Sequence, residues 1–283
     1  MLIRTLDAVN LEFRLEKLVP RNPEFGVDYG AMQLSGITSH IHDFTIAAGA
    51  VGGNIVNMTF TERSGFALGN LSGQLLVDKG LISIASMKLE TGETSLFLPE
   101  FSLSGEGWDS YKDFVRNVRI DADVLNSRAD SHDIGYFAPS LLGWETSIYD
   151  ATLSMHGTVS DFRADIESLH LQDGGTLSAF GRVRGLTTVP RTNFNINVRR
   201  LDATTDEVVR LLGNIAHLAV PDNARTYIDR TKRLQLSGKF AGRIKSFETE
   251  ANLAFGCGGR LRLHGSMRPA DGLHSLSADI AGE

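Results

Sequence analysis

Large apolar side chains alternate with polar ones along most of this chain, and this period of two constrains the fold more than any other feature. The alternation is clearest in Leu234-Gln235-Leu236, in Phe194-Asn195-Ile196-Asn197-Val198 and in Leu153-Ser154-Met155. Because successive side chains of a β-strand point to opposite faces, each such segment predicts a strand with one apolar and one polar face. About 16 strands are predicted in this way.

Short turn sequences separate the predicted strands every 8–12 residues or so. Examples are residues 78–80, 91–93, 173–175 and 258–259, all of which contain glycine. Glycine accounts for 29 of the 283 residues, and it readily adopts the positive φ angles that tight turns require. The spacing therefore predicts antiparallel strands joined by hairpins.

Helical periodicity is scarce. The strongest helix prediction covers Thr205 to Ala216, with Thr204 or Thr205 as the N-cap and acidic residues in the first turn. Shorter helices are predicted for Asn223–Arg230 and Ser131–Phe137. We expect each of them to plug or cap a sheet.

Two sequence matches indicate an internal repeat. Residues 157–162 match residues 242–247, and residues 174–184 match residues 258–268. We interpret residues 1–283 as one continuous β-repeat region with approximate units 44–125, 126–203 and 204–283, because units that cannot cover their own apolar face stack on one another. The alternative is chance similarity among strands separated by glycine turns.

Composition excludes several classes of protein. With 28 basic and 34 acidic residues the net charge is −6, whereas nucleic-acid-binding proteins are usually basic. No apolar run approaches the roughly 20 residues of a membrane-spanning helix. The only cysteine, Cys257, cannot form an internal disulfide, and we expect it to be a buried or half-buried small residue.

Motifs that carry chemistry are weak or absent. No nucleophile elbow, phosphate-binding loop or metalloprotease motif occurs. His40 and His42 share one strand face, but no third ligand is visible, and a solvated strand edge is the simpler interpretation. Ser131-His132-Asp133 is interpreted as a helix start, and the acidic pair Asp121 and Asp123 as a chance pair. We therefore predict no enzymatic activity, no catalytic residue, no metal site and no cofactor.

The apolar faces are more informative. Alternating strands in one long sheet place an apolar stripe on one side, which either a second layer covers or the sheet curls around. A curled sheet leaves an apolar groove that suits acyl chains, whereas an ordinary closed core remains the alternative. The groove candidates are Leu153, Met155, Leu169, Leu171, Phe194, Ile196, Val198, Leu234 and Leu236.

Several segments resemble the TamB-like proteins of the AsmA-like superfamily. Residues 61–68, Thr-Glu-Arg-Ser-Gly-Phe-Ala-Leu, followed by Leu71-Ser72-Gly73, resemble the E-x-S-G-F-x-L…L-x-G segment of that family. Residues 118–123 and 133–139 resemble its strand that leads into a short Tyr-Phe-x-Pro helical turn. The recurring strand series over 161–186 and the strand-to-helix step from Phe194 to Thr205 are also similar.

This resemblance implies a mainly β fold: an elongated, curled, repetitive antiparallel sheet with an apolar groove and a few short helices. It implies a role in phospholipid transport and outer-membrane biogenesis in the periplasm, with an inner-membrane anchor in the full-length protein. The implied partners are phospholipid and an outer-membrane barrel protein of the TamA type, which regions outside this sequence would contact. No N-terminal anchor and no C-terminal partner-binding domain are recognised, so the sequence is expected to be an interior fragment.

Two other functions are also compatible with the sequence. One is a structural or adhesive β-repeat protein with a closed core. The other is a carbohydrate-active β-solenoid, which would need a cleft of converging carboxylates.

Overall fold

The chain folds mainly into antiparallel β-strands. A computed structural model describes residues 1–16, 25–28, 30–137, 145–185, 192–214, 232–243, 246–270 and 273–282. The chain divides into two compact units, residues 1–150 and 151–283. Strands joined in sequence order and a few short helices make up both units, which confirms the predicted fold class.

The first unit contains eight strands and three short helices among the described residues. Its strands are β1 (Leu2–Glu16), β2 (Ala31–Ala47), β3 (Ala50–Glu62), β4 (Ala67–Leu68), β5 (Asn70–Asp78), β6 (Leu81–Glu90), β7 (Ser95–Ser104) and β8 (Arg119–Asp130). Its helices are a 3-10 helix (Trp108–Asp113), α1 (Phe114–Asn117) and α2 (Ser131–Phe137). The strands are hydrogen-bonded in the order β1-β2-β3-β5-β6-β7-β8, and the short β4 pairs with β3.

The second unit continues the same arrangement from β9, which starts in the last residues of the first unit. Its strands are β9 (Ser147–Thr158), β10 (Asp161–Leu171), β11 (Thr176–Arg184), β12 (Asn193–Thr204), β13 (Arg233–Arg243), β14 (Ser246–Phe255), β15 (Arg260–Ala270) and β16 (Leu273–Gly282). Each is hydrogen-bonded to the next. Its described helix is α3 (Thr205–Asn214). The described ranges thus hold 16 strands, as the alternation predicts.

The predicted turns lie between paired strands. Lys79 and Gly80, with φ angles of 40° and 85°, join β5 to β6, and two successive positive φ angles are typical of the tight hairpin turn that matches strand twist. The turns at 171–175 and 255–259 repeat one hydrogen-bonding pattern. The Leu171 amide donates to the Gly175 carbonyl at 2.8 Å, and the Phe255 amide donates to the Gly259 carbonyl at 2.9 Å.

The two matched sequence segments also share their local geometry. Gly157 (φ 131°) faces Phe162, and Gly242 (φ 141°) faces Phe247 in the same way. A Cβ atom at either glycine would lie 2.4 Å from a carbonyl oxygen of the next strand, a separation that no larger residue tolerates. The predicted boundaries of the repeat units stay a prediction.

The helix predictions have mixed outcomes. The Ser131–Phe137 helix is present with the predicted bounds. The helix predicted from Thr205 is present as α3, and the Glu207 amide donates to Thr204 Oγ1 at 3.3 Å, which confirms Thr204 as its N-cap. Residues 215 and 216 and the predicted helix at 223–230 lie outside the described residues. Among the described helices, none has both the length and the apolar character needed to cross a bilayer.

The expectation that Cys257 is buried or half-buried is wrong. Cys257 is exposed to solvent. The cause is its position in the tight turn at 255–259, which closes the β14–β15 hairpin, where the Gly258 amide donates back to the Phe255 carbonyl at 2.9 Å. A turn this short points the side chain of its central residue towards solvent.

Two regions that resemble the TamB-like family lie against each other in the first unit. Phe66 is buried, and its ring packs edge-on against Tyr136 and Phe137 of α2, with centroid separations of 5.7 and 4.9 Å. The buried Glu62 holds the turn before Phe66, because its carboxylate accepts hydrogen bonds from the amides of Ser64 and Gln33. Phe66 therefore forms an aromatic cluster with two α2 residues that are about 70 positions away in the sequence, and this cluster packs α2 against the sheet.

Replacing Phe66 by alanine should destabilise this unit. Removal of a buried phenylalanine side chain costs about 3–5 kcal/mol, so urea denaturation of the Phe66→Ala chain should show that loss in the free energy of unfolding. Phe97 is the matched control, because 37% of its surface is exposed, and Phe97→Ala should cost well under half as much. Equal losses from the two variants would contradict the anchoring role of Phe66.

Candidate functional site

One face of the second unit is apolar along consecutive cross-strand rows. Residues paired across antiparallel strands point to the same face, so the register places these side chains side by side. The rows are Phe162, Val183, Phe194, Gly242 and Phe247; Ala164, Gly181, Ile196, Phe240 and Thr249; Ile166, Ala179, Val198, Gly238, Ala251 and Leu263; and Leu169, Leu177, Leu201, Leu236, Leu253 and Leu261. We call these residues the apolar face. Thr249 is its one polar member.

The predicted groove residues belong to this face. Phe194, Ile196, Val198, Leu169 and Leu236 are members of the four rows. Leu234 pairs with Ala203 beyond the last row, and Leu171 continues the alternation from Leu169. Leu153 and Met155 alternate with Gly157, which faces Phe162 of the first row. The structure therefore places all nine candidates on one side of the sheet.

Glycine and phenylalanine are matched across the first row. Gly242 pairs with Phe194 on one side and with Phe247 on the other. The two rings flank the glycine with their centroids 6.2 Å apart. A side chain at position 242 would meet the Phe247 Cα at 2.6 Å, so the absence of a side chain lets the backbones and the two rings approach.

Bulges keep the apolar residues on one face. In β12, Val198 pairs with Gly238 whereas Leu201 pairs with Leu236. An advance of three residues along β12 therefore corresponds to an advance of only two residues along β13. A similar shift separates Ile166 from Leu169 in β10. Without the extra residue, Leu201 would point to the polar face.

These bulges also explain which face residues the sequence prediction missed. Leu201 and Leu177 belong to the last row, but strict alternation from Val198 does not reach Leu201. Regular alternation also holds in β14 and β15, which contain the missed residues Phe247, Leu253 and Leu261. The pairing of these strands with β13, whose Leu234 and Leu236 were predicted, is the signal that could have found them.

The apolar face is only partly covered. Phe194, Ile196, Val198 and Leu236 are half-buried, whereas Leu169, Leu171 and Leu234 are buried. Among the described elements of this unit, no second sheet packs on the rows. These three leucines lie near the end at which β12 leads into α3, and the small Ala179, Thr249 and Ala251 of the middle rows are buried as well. The larger side chains of the middle rows, such as Ile196 and Val198, therefore keep surface available for a ligand.

A buried carboxylate lies where α3 meets the sheet. Glu207 is fully buried, and a Cβ atom at Gly175 would lie 2.9 Å from its Oε2. Neither carboxylate oxygen has a hydrogen-bond partner in the part of the chain that the structure describes. Burial raises the pKa of Glu207, and the Asp173 carboxylate raises it further, against the opposing effect of Arg210. The side chain is thus shifted towards its neutral form.

The opposite face of the second unit carries ion pairs. Arg182 donates through Nε and Nη2 to the Asp161 carboxylate, both at 2.5 Å, and this pairing lowers the pKa of Asp161. Arg199 donates to Asp165 at 2.7 Å, and its guanidinium carbon lies 4.8 Å from the centre of the Phe180 ring. The sheet is therefore apolar on one face and charged on the other.

Two concave regions lie along the strands of this unit. The larger, of about 790 Å³, is lined by Arg199, Arg200, Asn252 and Arg262 together with Leu236, Leu253 and Leu261 of the apolar face. The smaller, of about 620 Å³, includes Arg163, Arg182 and Asn195. Whether the apolar face curls into a groove stays a prediction.

The residues that resemble catalytic groups are separated or already paired. The helix α2 begins with Ser131, His132 and Asp133, as predicted. Their side chains do not bond to one another in a triad. Ser131 Oγ accepts a hydrogen bond from the Thr146 amide at 3.0 Å, and Asp133 Oδ2 accepts one from Thr91 Oγ1 at 2.5 Å. The Asp121 carboxylate accepts two hydrogen bonds from Arg119 at 2.8 Å. Among the described residues, no three His, Cys, Asp or Glu side chains are grouped so that they could hold a metal ion.

The fold and this face define an antiparallel β-sheet protein whose second unit has one apolar and one charged face. No protein-family model, no curated protein and no solved structure matches the chain. Membership of the TamB-like family therefore stays a prediction.

Replacing Glu207 by glutamine should stabilise the chain at neutral pH. A raised pKa in the folded state means that ionisation opposes folding, so the wild-type chain loses stability as the pH rises above about 4.3, the ordinary value for glutamate. Glutamine does not ionise, so the stability advantage of Glu207→Gln should be present at pH 7 and should vanish near pH 4. Denaturation midpoints measured across this range test the expectation.

Glu248 provides the control, because it is exposed on β14. Glu248→Gln should leave the midpoint nearly unchanged at every pH. A Glu207→Gln chain that is less stable than the wild type at pH 7 would show that Arg210 stabilises an ionised Glu207.

Proposed function

We propose that this chain is a segment of a periplasmic, bridge-like lipid transport protein of the TamB-like kind, and that the apolar face shields the acyl chains of phospholipids from water. The observation that carries the proposal is the set of four in-register rows, apolar except for Thr249, in which the larger middle-row side chains Ile196, Val198 and Phe240 are half-buried. In this proposal the full-length protein is anchored in the inner membrane and contributes to outer-membrane biogenesis.

Solvation is the mechanism in this proposal, and no covalent step is needed. An acyl chain gains about 0.8 kcal/mol for each methylene group that leaves water. Ile196 and Val198 of β12 and Leu236 of β13 lie in three adjacent rows and offer branched side chains to such a chain. The charged phosphate of a phospholipid would remain in water beyond the rows, because burial of an unpaired charge is costly.

The row geometry suits linear ligands. Each row runs across the strands, and neighbouring strands lie about 4.8 Å apart. The last row spans six strands from Leu169 in β10 to Leu261 in β15, which corresponds to roughly 24 Å. An acyl chain lying along such a row would contact apolar side chains over most of its length.

Site-specific photocrosslinking tests the proposal. A photoreactive residue at Ile196 or Leu236 should form phospholipid adducts in cells, because both side chains belong to the apolar face. The same residue at Asn195 or Ser237, one position away on the opposite face, should form none. Adducts only at Asn195 and Ser237 would overturn the proposal.

Native mass spectrometry of the purified chain distinguishes the remaining functions. Co-purified phospholipid is expected for an acyl-shielding face and is not expected for a structural or adhesive protein with a closed core. The Val198→Lys variant should carry several-fold less lipid, because the charge would stand among the apolar rows, whereas Asn197→Lys should carry the wild-type amount. If both variants lost lipid equally, lipid would not bind specifically to the apolar face, and the proposal would fail.

A further inference from the structure

Two imidazole rings and one carboxylate contact one another in the first unit, outside the apolar face. Asp7 of β1 pairs with His40 of β2, and His42 lies two residues further along β2. The Nε2 atoms of His40 and His42 are 2.8 Å apart, and the two rings are nearly perpendicular, with an interplanar angle of 70°. Sequence alternation places the two histidines on one face, but it gives no indication that Asp7, 33 residues away, joins them.

Asp7 fixes the chemical state of His40. Its Oδ1 contacts His40 Nδ1 at hydrogen-bonding distance. A carboxylate in this position places the proton on Nδ1 and leaves a lone pair on Nε2, which is the arrangement found behind metal-bound histidines. In the structure that lone pair accepts a hydrogen bond from His42 Nε2, and a metal ion between the two nitrogens would replace this hydrogen bond once His42 carries its proton on Nδ1.

The separation of the two nitrogens selects a coordination geometry. With metal–nitrogen bonds of about 2.0 Å, a separation of 2.8 Å corresponds to an N–metal–N angle of roughly 90°. A tetrahedral ion would need the two nitrogens about 3.3 Å apart. An angle near 90° joins neighbouring ligands of a square-planar or octahedral ion, and imidazole ligands in that geometry favour Cu²⁺ or Ni²⁺.

The surroundings leave room for the ion and its water ligands. The Asp7 side chain is 62% exposed and the His40 side chain 37% exposed, and the residue His42 is exposed. Asn57 and Asn54, which pair with His40 and His42 from β3, are neutral. No further His, Cys, Asp or Glu completes the group within the described residues, so water would fill the other coordination positions.

The geometry points to a binding site for a square-planar or octahedral divalent ion, with His40 Nε2 and His42 Nε2 as ligands and Asp7 as the positioning residue for His40. The site is independent of the proposed lipid function, because it lies in the first unit. It takes the ion directly from solution and involves no redox step.

Isothermal titration of the untagged full chain with Cu²⁺, Ni²⁺ and Zn²⁺ tests the site. One equivalent of Cu²⁺ should bind more tightly than Ni²⁺, and both more tightly than Zn²⁺. Electron paramagnetic resonance of the Cu²⁺ complex should show coupling to two imidazole nitrogens. Tighter binding of Zn²⁺ than of Cu²⁺, or a spectrum without two nitrogen ligands, would overturn the proposed geometry.

Variants assign the roles. His40→Ala and His42→Ala should each weaken Cu²⁺ binding at least tenfold and remove one nitrogen coupling. Asp7→Asn should weaken binding by about 10–100-fold and keep both couplings, because it acts through His40. The control is His264→Ala, since this exposed histidine lies on β15 of the other unit, and its affinity should match the wild type.

Circular dichroism of each variant verifies the fold, and little change is expected because the substituted side chains are exposed or half-exposed. If the double variant His40→Ala/His42→Ala binds Cu²⁺ as tightly as the wild type, the site lies elsewhere and the inference fails.

Discussion

The register between neighbouring strands is the constraint on which the rest of the second unit depends. Because side chains alternate between faces, a slip of one residue in any pairing would move a whole strand's apolar side chains to the charged face. Six consecutive strands, β10 to β15, keep Leu169, Leu177, Leu201, Leu236, Leu253 and Leu261 in one row. The amphipathic character of the sheet is therefore a property of the pairings more than of any single strand.

Local devices protect that register. The bulge between Val198 and Leu201 absorbs an extra residue, so that the apolar side chains before and after it face the same way. Arg199 lies within the bulge of β12, and its guanidinium donates a hydrogen bond to the Asp165 carboxylate of β10, two strands away. The same irregularity thus completes the apolar row on one face and adds an ion pair to the other.

The parts of the fold that depend on neighbouring residues could be predicted from the sequence. The turn at Lys79-Gly80, the bounds of α2 and the Thr204 N-cap of α3 all follow from local preferences, and the structure has each of them. The nine groove candidates share one face because alternation is also local. Lipid binding by that face stays a prediction.

The parts that depend on distant pairing could not be predicted in this way. Leu201 follows a bulge that no local pattern marks, and Asp7 meets His40 only because β1 pairs with β2. Glu207 looked like an ordinary acidic residue in the first turn of a helix, whereas the Gly175 turn buries its carboxylate. Cys257 shows the opposite case: cysteine is usually buried, but the hairpin turn exposes this one.

The two faces of each strand also make the apolar face experimentally separable from the rest of the sheet. Asn195, Ile196 and Asn197 are consecutive in β12, yet Ile196 pairs with Gly181 and Phe240 on the apolar face whereas Asn195 pairs with Arg182 on the charged one. Substitutions at such neighbours perturb the same strand and nearly the same backbone hydrogen bonds. A difference between them therefore reports what the face contacts, because loss of the strand itself would affect both positions alike.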